Sequence, residues 1–470
     1  MSFVEAAKAL IGPAHVLTGD DAAGYATDWT GKYKGAPLCV LRPANTAQVS
    51  ALMRLAHETG TAVVPVGGNT GLSGGTQAMG AALLSLERLN IIRDVRPSAR
   101  IAIVEAGVVL EQVHAAAEAE GLTFPMTFGA KGSATIGGML ATNAGGSNVL
   151  RYGNTRALVL GLEAVLPDGR VMDLMTELHK DNSGYDLRDL LIGAEGTLGV
   201  ITAAVLKLVP RPAAYATAMV ALPALDEALA LLNRLQVATG GAVEAFEYMP
   251  GAYLRALEAM HPEMRLALGT QHPVNVLLEI AASAPHDARP GPDGSLPIVA
   301  YLEEVLGEEL AAGRVLDAAI AANESQRREM WAAREAAAEV MFVRPPFVVN
   351  DIALPLDKVA VFFDRMAALL PKLDAGADDS AVAHLGDGNI HYVVYLSDDT
   401  PGLGDRVMEA IEEEVRALGG TFSAEHGIGL SKLPSMERRK DPVALEVMRA
   451  VKAAIDPKGI MNPGKVLPEA

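Results

Sequence analysis

Several residue types that build common protein sites are scarce in this chain of 470 residues. The single cysteine, Cys39, excludes disulfides within the chain, cysteine-ligated iron–sulfur clusters and cysteine-rich zinc sites. Aromatic residues make up only 4 %, so we expect a core of aliphatic side chains and methionines. No apolar run reaches the roughly 18 residues of a membrane span. The first twenty residues contain no basic segment followed by an apolar stretch, which is the pattern of a secretory signal. We therefore expect a cytoplasmic protein.

Basic residues are also in the minority, with 39 Lys and Arg against 57 Asp and Glu, which gives a net charge of −18. An acidic surface repels phosphate backbones, and this argues against nucleic acid as a partner. Half of the residues are hydrophobic and a fifth are charged, as in compact globular proteins. At about 150 residues per domain, the length corresponds to two or three domains.

Strand-like runs, glycine-rich turns and amphipathic helices alternate over the first 210 residues. Thr46–Gly60 carries apolar residues at helical spacing, and Val63–Val66 has the composition of a short buried strand. Pro210 and Pro212 interrupt regular structure, so we place a domain boundary there. Alanine- and leucine-rich helical segments follow, and the chain ends in a further helical segment. Later strand-like runs are Phe347–Leu354 and Val382–Tyr395. The sequence predicts an α+β protein.

Three glycine-rich segments lie in the first half of the chain: Pro65–Gly75, Gly129–Gly146 and Ile192–Gly199. Closely spaced glycines let a backbone approach a ligand, and successive N–H groups can converge on a pyrophosphate. The first segment has neither the GxGxxG order of a dinucleotide-binding helix nor the GK[ST] of a triphosphate loop. Taken alone, it is equally well explained as a structural loop. Three such segments together indicate an extended ligand.

The order of these segments, with Asp168-Gly169 between the second and the third, resembles the FAD-binding domain of the vanillyl-alcohol-oxidase (p-cresol methylhydroxylase) superfamily. Within it, the chain is similar to the D-lactate and D-2-hydroxyglutarate dehydrogenases, and Asp456–Lys465 matches them as well. The resemblance implies a two-subdomain FAD-binding domain over residues 1–210. It further implies an α+β substrate and metal-binding cap domain over 211–429, and a C-terminal helical segment over 430–470 that returns to the flavin.

In that family, FAD lies extended with its pyrophosphate on the loop that corresponds to Val66–Gly71. Family members that tether FAD covalently carry a histidine where this chain has Asn69, so the resemblance implies FAD held without a covalent bond. The residues that it assigns to the cofactor are Val66, Gly67, Gly68, Asn69, Thr70, Gly71, Ser73, Ser133, Thr135, Gly137, Gly138, Asn143, Gly145, Glu195, Ile201 and Asn462.

Two histidines flank a predicted hairpin in the second half of the chain. Asp387-Gly388 between apolar runs is a signal for a two-residue turn. Such a turn would set His384 directly opposite His391, with their Cβ atoms about 5 Å apart. Two imidazoles at that spacing can hold one metal ion, although two ordinary histidines near a hairpin would also explain the pattern.

The run Ser423–Gly429 places Glu425 beside His426 in a glycine-rich turn. In the resembled family, the two hairpin histidines and this glutamate bind a divalent metal, and the adjoining histidine acts as the base. For this chain the resemblance implies zinc or manganese on His384, His391 and Glu425. The implied reaction oxidises a D-2-hydroxy acid to the 2-oxo acid: the metal lowers the hydroxyl pKa, His426 accepts the proton, and a hydride passes from C2 to flavin N5.

Met330–Glu335 predicts the start of an alanine-rich helix, on which an arginine ordinarily lies on a solvated face. Family members use an arginine at the position of Arg334 to hold a substrate carboxylate, which a guanidinium can bind through two hydrogen bonds. D-2-hydroxyglutarate enzymes carry Thr, Lys and Asn where this chain has Ala338, Val349 and Val393. These replacements favour a D-lactate-like or larger apolar 2-hydroxy monoacid as the substrate.

Two alternative functions stay open at this point. A cation from elsewhere, such as Arg344, would restore binding of a D-2-hydroxyglutarate or D-malate substrate, and Asp28–Tyr33 and Lys180–Leu187 look most like the hydroxyglutarate enzymes. The candidate metal ligands His384, His391 and Glu425 argue against a non-redox enzyme similar to the alkylglycerone-phosphate synthases. No cluster or haem motif is present, so we expect a separate electron acceptor, such as electron-transfer flavoprotein, a quinone or a cytochrome. A homodimer stays open too.

Overall fold

The computed structural model describes residues 1–292 and 294–469, which form two compact units. The last residue of the predicted segment 430–470 lies outside the described residues. The proposed division into three functional domains stays a prediction. Unit 1 consists of Met1–Gly146, Gly153–Pro210 and the chain from Glu425 onward, and unit 2 consists of Ser147–Tyr152 and Arg211–Ala424.

Helices and strands alternate along most of the chain. The α-helices are α1 (Phe3–Ile11), α2 (Thr46–Thr59), α3 (Leu110–Glu118), α4 (Ile136–Thr142), α5 (Val149–Tyr152), α6 (Leu187–Leu191), α7 (Asp226–Thr239), α8 (Gly251–Met260), α9 (Pro297–Ala311), α10 (Glu324–Glu335), α11 (Ala337–Met341), α12 (Val359–Leu373), α13 (Leu403–Ala417), α14 (Leu433–Arg439) and α15 (Pro442–Ile455). The strands are β1 (Val16–Leu17), β2 (Cys39–Leu41), β3 (Val63–Val66), β4 (Ala82–Ser85), β5 (Ile92–Arg96), β6 (Ile101–Glu105), β7 (Leu122–Thr123), β8 (Val159–Val165), β9 (Val171–Leu174), β10 (Val200–Lys207), β11 (Val209–Pro210), β12 (Ala214–Leu222), β13 (Val243–Pro250), β14 (Val274–Ala282), β15 (Asp317–Ile320), β16 (Phe347–Ala353), β17 (Asp378–His384) and β18 (Asn389–Tyr395). Short 3-10 helices lie at Pro13–His15, Gly19–Tyr25, Thr155–Leu158 and Leu356–Lys358.

Unit 1 contains a small sheet in the order β1-β2-β4-β3, in which β4 runs parallel to both β2 and β3. A second, antiparallel sheet has the order β5-β6-β10-β8-β9, and β11 pairs with β7. Helix α2 shows why the local sequence folds as it does. The Asn45 side chain accepts a hydrogen bond from the Gln48 amide at its start, and Gly60 ends it in the left-handed region. Its apolar face is buried, which confirms the predicted helix.

Unit 2 is built on a seven-stranded antiparallel sheet in the order β15-β12-β14-β13-β17-β18-β16. One face of the sheet packs against α7, α9, α12 and α13 through a large aliphatic core. The other face packs against α8, α10 and α11 through a smaller cluster that includes Met249, Met330 and Val393. This second face carries the candidate site residues of the unit. The architecture is α+β, as predicted.

Two element boundaries differ from those predicted. The helix that carries Arg334 begins at Glu324, not at Met330, because the Asn323 side chain accepts a hydrogen bond from the Gln326 amide and starts it earlier. The residues between these points are polar, so apolar spacing gave no sign of this first part. Strand β17 likewise begins at Asp378, ahead of the apolar run. No helix in the described part of the chain is long and apolar enough to cross a membrane.

Candidate active site

The first two glycine-rich segments of unit 1 pack directly against each other. A β-carbon on Gly67 would overlap the Thr135 hydroxyl, and one on Gly68 would overlap the carbonyl oxygen of Ser133. These two glycines therefore permit a close approach of backbones that no larger residue would allow. All the predicted cofactor residues belong to unit 1. The structure thus brings the two segments together, while the contact of each residue with FAD stays a prediction.

Strained backbone is concentrated among the predicted cofactor residues. Asn69, Asn143, Glu195 and Asn462 have φ values of 53°, 51°, 50° and 40°, in the region that ordinarily favours glycine. Asn69 is held there by its side chain, which donates to the Thr27 carbonyl and accepts from the Thr76 hydroxyl. Strain of this kind persists where the surroundings over-determine the conformation, typically around ligands.

Two buried polar atoms near these segments lack partners. Thr135 Oγ1 and Asn462 Oδ1 are buried and have no hydrogen-bond partner among the described residues. The Asn462 amide nitrogen, in contrast, donates to the carbonyl oxygens of Gly75 and Glu195, so the side chain is firmly placed. Since buried polar groups are nearly always satisfied, these two atoms fit the polar groups of an extended cofactor such as FAD.

Glu195 has a clear partner within unit 1. Its carboxylate accepts hydrogen bonds from the backbone N–H groups of Ile428 and Gly429, at 2.7 and 2.8 Å. Burial raises the pKa of Glu195, and the two amides act against this shift. The side chain therefore holds the turn that follows His426, a role that the sequence did not reveal. Its predicted contact with FAD stays a prediction.

Ser73, in the first glycine-rich segment, also holds the turn that carries His426. The Ser73 hydroxyl donates to the His426 carbonyl at 3.0 Å, and the Ser73 carbonyl accepts from the Leu430 amide at 2.8 Å. Gly429 has φ +50°, and a β-carbon there would overlap the Ser73 carbonyl oxygen. Within the turn, His426 Nε2 lies 3.7 Å from Glu425 Oε1. An imidazole and a carboxylate are thus presented side by side.

The histidine hairpin of unit 2 has a different register from the one predicted. His384 pairs with Asn389, and His391 lies opposite Val382, so the loop has four residues instead of the two at Asp387-Gly388. The amides of Asp387 and Gly388 both donate to the His384 carbonyl, which closes this longer loop. The register differs by two residues, and a shift of two keeps every side chain on its face.

The two hairpin histidines are therefore diagonal neighbours, and their rings still meet. The ring centroids of His384 and His391 lie 5.4 Å apart at an interplanar angle of 81°. The predicted pairing is wrong, but the predicted proximity of the imidazoles is observed. This arrangement offers two nitrogen donors to one ion.

A fully buried glutamate, Glu247 on β13, connects His384 to Arg334. Its Oε1 accepts from His384 Nδ1 at 2.9 Å, and its Oε2 accepts from Arg334 Nε at 2.8 Å. Burial alone would raise the pKa of Glu247, but the charges of His384 and Arg334 outweigh it and hold the pKa below its usual value. Arg334 is itself buried, not on a solvated face, and its Nη2 has no hydrogen-bond partner among the described residues. That nitrogen is suited to a carboxylate.

Helix α10 is fixed above this network by a stripe of three side chains. Arg327 binds both carboxylate oxygens of Glu279 on β14 at 2.7 Å, and the Trp331 indole donates to the same carboxylate at 3.0 Å. Arg334 follows one turn later at the spacing that keeps the three on one face of the helix. The position of Arg334 is thus determined by Glu279 and Glu247 together.

Two site residues were missed by the sequence analysis, Glu247 and Asp351. Asp351 on β16 is 2 % exposed, lies opposite His391 in the sheet and is 4.0 Å from His391 Nδ1. Asn389 donates to it at 3.0 Å. The available signal was a carboxylate inside a largely apolar strand run, because a buried charge is costly unless it is paired.

The sheet becomes apolar one row beyond the histidines. Val349 pairs with Val393, two residues along β16 and β18 from the pair of Asp351 and His391, which is roughly 7 Å at about 3.3 Å per residue. Val393 is 1 % exposed and packs in the cluster beneath α10 and α11. The described strands of this sheet offer no lysine or arginine beside Val349 and Val393.

Ala338 and Arg344, the other two residues considered for substrate binding, do not lie in this apolar row. Ala338 is an exposed residue of α11, whereas Arg334 lies on α10, which ends at Glu335. Arg344 donates to Asp378 at 2.8 Å and lies over the Tyr395 ring. Tyr395 is four residues along β18 from His391, roughly 13 Å. Arg344 is thus engaged at the far end of the strands.

Comparison with known proteins confirms the fold and the family. The family description "FAD linked oxidases, C-terminal domain" matches residues 211–466, and "FAD binding domain" matches residues 37–175. Solved structures with the same fold include p-cresol methylhydroxylase with bound substrate (TM-score 0.69, 16 % identity, 98 % of this chain and 96 % of that one). Another is alkyldihydroxyacetonephosphate synthase (TM-score 0.71, 17 % identity, 98 % of this chain and 84 % of that one).

Closer similarity is found among curated proteins. The mitochondrial D-2-hydroxyglutarate dehydrogenase of Bos taurus is 38 % identical over 94 % of this chain and 79 % of the relative. The D-2-hydroxyglutarate dehydrogenase of Xanthomonas citri pv. viticola is 36 % identical over 95 % of this chain and 92 % of the relative.

Fold and sequence matches together define a flavoprotein with the fold of p-cresol methylhydroxylase. The chain belongs to the FAD-linked oxidase family, among the relatives of the D-2-hydroxyglutarate dehydrogenases. The predicted family, FAD as the cofactor and the class of enzyme, an FAD-dependent dehydrogenase of D-2-hydroxy acids, are confirmed.

Proposed function

We propose that this enzyme oxidises a D-2-hydroxy acid with an apolar side chain to the 2-oxo acid, with FAD and a divalent metal. The observation that carries the proposal is the hydrogen-bonded chain from Arg334 through the buried Glu247 to His384, which joins the proposed anchor for the substrate carboxylate to a proposed metal ligand. When bound, FAD supplies the acceptor for the hydride from C2, and a divalent metal supplies a positive charge that lowers the hydroxyl pKa.

Arg334 is proposed to hold the substrate carboxylate. Its Nε is already bound to Glu247, which leaves the buried, unpartnered Nη2 as the donor for the substrate. A guanidinium fixed in this way loses little conformational freedom when a carboxylate binds. The substrate would thus be oriented before any bond is broken.

His426 is proposed to accept the hydroxyl proton. An imidazole can take up a proton near neutral pH, and the position of this one is set by Ser73 on its carbonyl and by Glu195 on the following amides. A general base contributes typically 10²–10⁴-fold to rate when it is well placed. The tight turn is the feature that supports this role.

His384, His391 and Glu425 are proposed to hold the metal, zinc or manganese. His384 Nδ1 faces Glu247, so Nε2 is the nitrogen that we propose to bind the ion. Metal-binding histidines usually make such a second hydrogen bond to a carboxylate. Three protein ligands leave open positions for a substrate hydroxyl and carboxylate, as in catalytic metal sites.

The apolar row formed by Val349 and Val393 supports an alkyl or aryl side chain on the substrate. A distal carboxylate placed beside two valines would lose its hydration without gaining a partner. An apolar group gains about 25 cal/mol for each Å² that is buried. D-lactate, D-2-hydroxybutyrate and larger or mandelate-like acids fit this description.

D-2-hydroxyglutarate is the second candidate substrate. It is favoured by the names of the relatives at 36–38 % identity, while D-malate is a shorter diacid of the same kind. Asn69, at the position of the tethering histidine, supports non-covalent FAD. Electrons are proposed to leave to a separate acceptor, such as electron-transfer flavoprotein, a quinone or a cytochrome.

Removal and return of the metal test this function. Chelator-treated, FAD-loaded enzyme should reduce its flavin slowly with D-2-hydroxy acids, and added zinc or manganese should restore the rate. Acid precipitation should release all the FAD into solution. Full activity without metal would contradict the proposed metal site, and flavin that stays with the precipitate would contradict non-covalent binding.

A further inference from the structure

We propose that Glu247 is a positioning residue that serves the substrate anchor and the metal ligand at once. The inference rests on the proposed function of Arg334 and His384. No other carboxylate among the described residues is hydrogen-bonded to both of these side chains. A single buried group thereby sets the orientation of two functional groups.

The geometry at Glu247 leaves little freedom. The side chain is 1 % exposed, and each carboxylate oxygen accepts one hydrogen bond, at 2.9 Å from His384 and 2.8 Å from Arg334. Both partners are donors, so a group with two acceptor atoms is required between them. Glu247 also lies directly opposite His384 in the pairing of β13 with β17. The backbone thus keeps the contact short.

The contact with His384 determines which ring nitrogen carries the proton. A carboxylate facing Nδ1 favours the tautomer with the proton on Nδ1, and this leaves the lone pair of Nε2 for a metal. A glutamine would place an amide N–H group opposite either Nδ1 or Arg334 Nε. Opposite Nδ1 it favours the tautomer with the proton on Nε2, which blocks the metal-binding nitrogen. Opposite Arg334 Nε, the amide N–H group cannot accept a hydrogen bond, so the arginine loses this contact.

Glu279 offers a matched comparison within the same sheet. It is also a buried glutamate, it lies on the neighbouring strand β14, and it holds the same helix α10 through Arg327 and Trp331. No contact with a histidine is observed for it among the described residues. Substitution of Glu279 thus weakens the attachment of α10 without touching His384.

The experiment compares E247Q, E247D and E279Q as FAD-loaded proteins in two binding titrations. The first measures zinc affinity by competition with a chromophoric chelator, with no carboxylic acid present. The second measures propionate affinity of the metal-free protein, from the change in the oxidised flavin spectrum. Propionate has no hydroxyl group, so it reports on the carboxylate anchor alone.

We expect E247Q to weaken zinc binding by about 10- to 100-fold and to weaken propionate binding as well. E279Q should leave zinc affinity within twofold of the wild type. E247D keeps both acceptor oxygens on a shorter side chain, so it should retain more zinc affinity than E247Q, and it keeps the test valid if E247Q does not fold.

Two results would overturn the inference. Unchanged zinc and propionate affinities in E247Q would show that Glu247 positions neither group, and equal losses in E247Q and E279Q would reduce its role to holding α10. A wild-type protein that binds no zinc would contradict the proposed metal site itself, and with it the metal half of the inference. That failure is distinguishable because it affects every variant alike.

Discussion

The two histidine-bearing segments of this protein are held in place by different means. The hairpin of β17 and β18 takes its shape from regular backbone pairing inside a seven-stranded sheet. The turn at His426 has no such pairing, and it takes its shape from Ser73 and Glu195, which are far away in the sequence. The two hairpin histidines are thus built on a strand scaffold, whereas long-range hydrogen bonds to its backbone help to hold the turn that carries the candidate base.

This difference implies that the turn is the more sensitive of the two segments to single substitutions. In a sheet, the loss of one contact leaves many backbone hydrogen bonds in place. In the turn, two side chains and two left-handed glycines contribute to the position of one imidazole. Substitutions in each segment can separate the contributions of base and metal.

The largest effect is expected for His426→Ala. Removal of the proposed base should slow flavin reduction by about 10²–10⁴-fold, while the amount of bound FAD stays close to wild type. His384→Ala should instead abolish tight zinc binding. His272→Ala, which removes a unit 2 histidine near Asp317, serves as the control. Rapid anaerobic mixing measures the rate, and an unchanged rate in His426→Ala would contradict its assignment as the base.

Gly429→Ala tests how tightly the turn is held. A β-carbon at this position would overlap the Ser73 carbonyl oxygen in addition to straining a φ of +50°. We expect a loss of about 1–3 kcal/mol in the free energy of unfolding and slower flavin reduction. The matched control is Gly459→Ala, where φ is +62° but nothing lies within 4 Å of the added carbon. Equal losses in the two variants would mean that the contact with Ser73 is unimportant.

Val349→Lys tests the apolar row beside the hairpin. A lysine there would offer a cation to a distal carboxylate. One charged hydrogen bond contributes about 1.5 kcal/mol or more, and each 1.4 kcal/mol corresponds to about a tenfold change. The ratio of kcat/KM for D-2-hydroxyglutarate over D-2-hydroxybutyrate should thus rise about tenfold. Arg344→Ala should leave this ratio unchanged, because Arg344 is engaged with Asp378. A wild type that prefers the diacid, with a ratio that falls in Arg344→Ala, would contradict this view of the pocket.

The smallest effect concerns the pH dependence of the turn. Burial raises the pKa of Glu195 in the folded state, so its stabilising contribution is complete below the ordinary glutamate pKa. That contribution is lost as the pH rises through the raised value. The free energy of unfolding of the wild type, relative to Glu195→Gln, should therefore decrease over this range. Urea unfolding at a series of pH values measures the difference, and a constant difference would contradict the raised pKa.

Much of the fold and some of the site could be predicted from the sequence, because the signals are local. Helix α2 and strand β3 follow from apolar spacing and end residues, and the glycine-rich segments point to FAD through their resemblance. The proximity of His384 and His391 survived an error in register because the error was two residues. Each of these features depends on neighbours that are close in the sequence.

The remaining features depend on contacts between distant segments. Glu247 meets Arg334 and His384 across 87 and 137 positions of the chain, and no local pattern reveals such partners. Glu195 was assigned to the cofactor from its motif, but its carboxylate binds backbone amides more than 230 positions away. A carboxylate within a largely apolar strand is therefore the sequence signal that would most improve the prediction of such a site.

The most direct test of the central claim is anaerobic mixing of the zinc-loaded enzyme with the two enantiomers of 2-hydroxybutyrate and with D-2-hydroxyglutarate. Bleaching of the visible flavin band reports hydride transfer from C2. We predict rapid bleaching by D-2-hydroxybutyrate, slower bleaching by D-2-hydroxyglutarate and none by the L enantiomer. Faster bleaching by D-2-hydroxyglutarate would contradict the apolar substrate, and no bleaching by any D-2-hydroxy acid would contradict the proposed function as a whole.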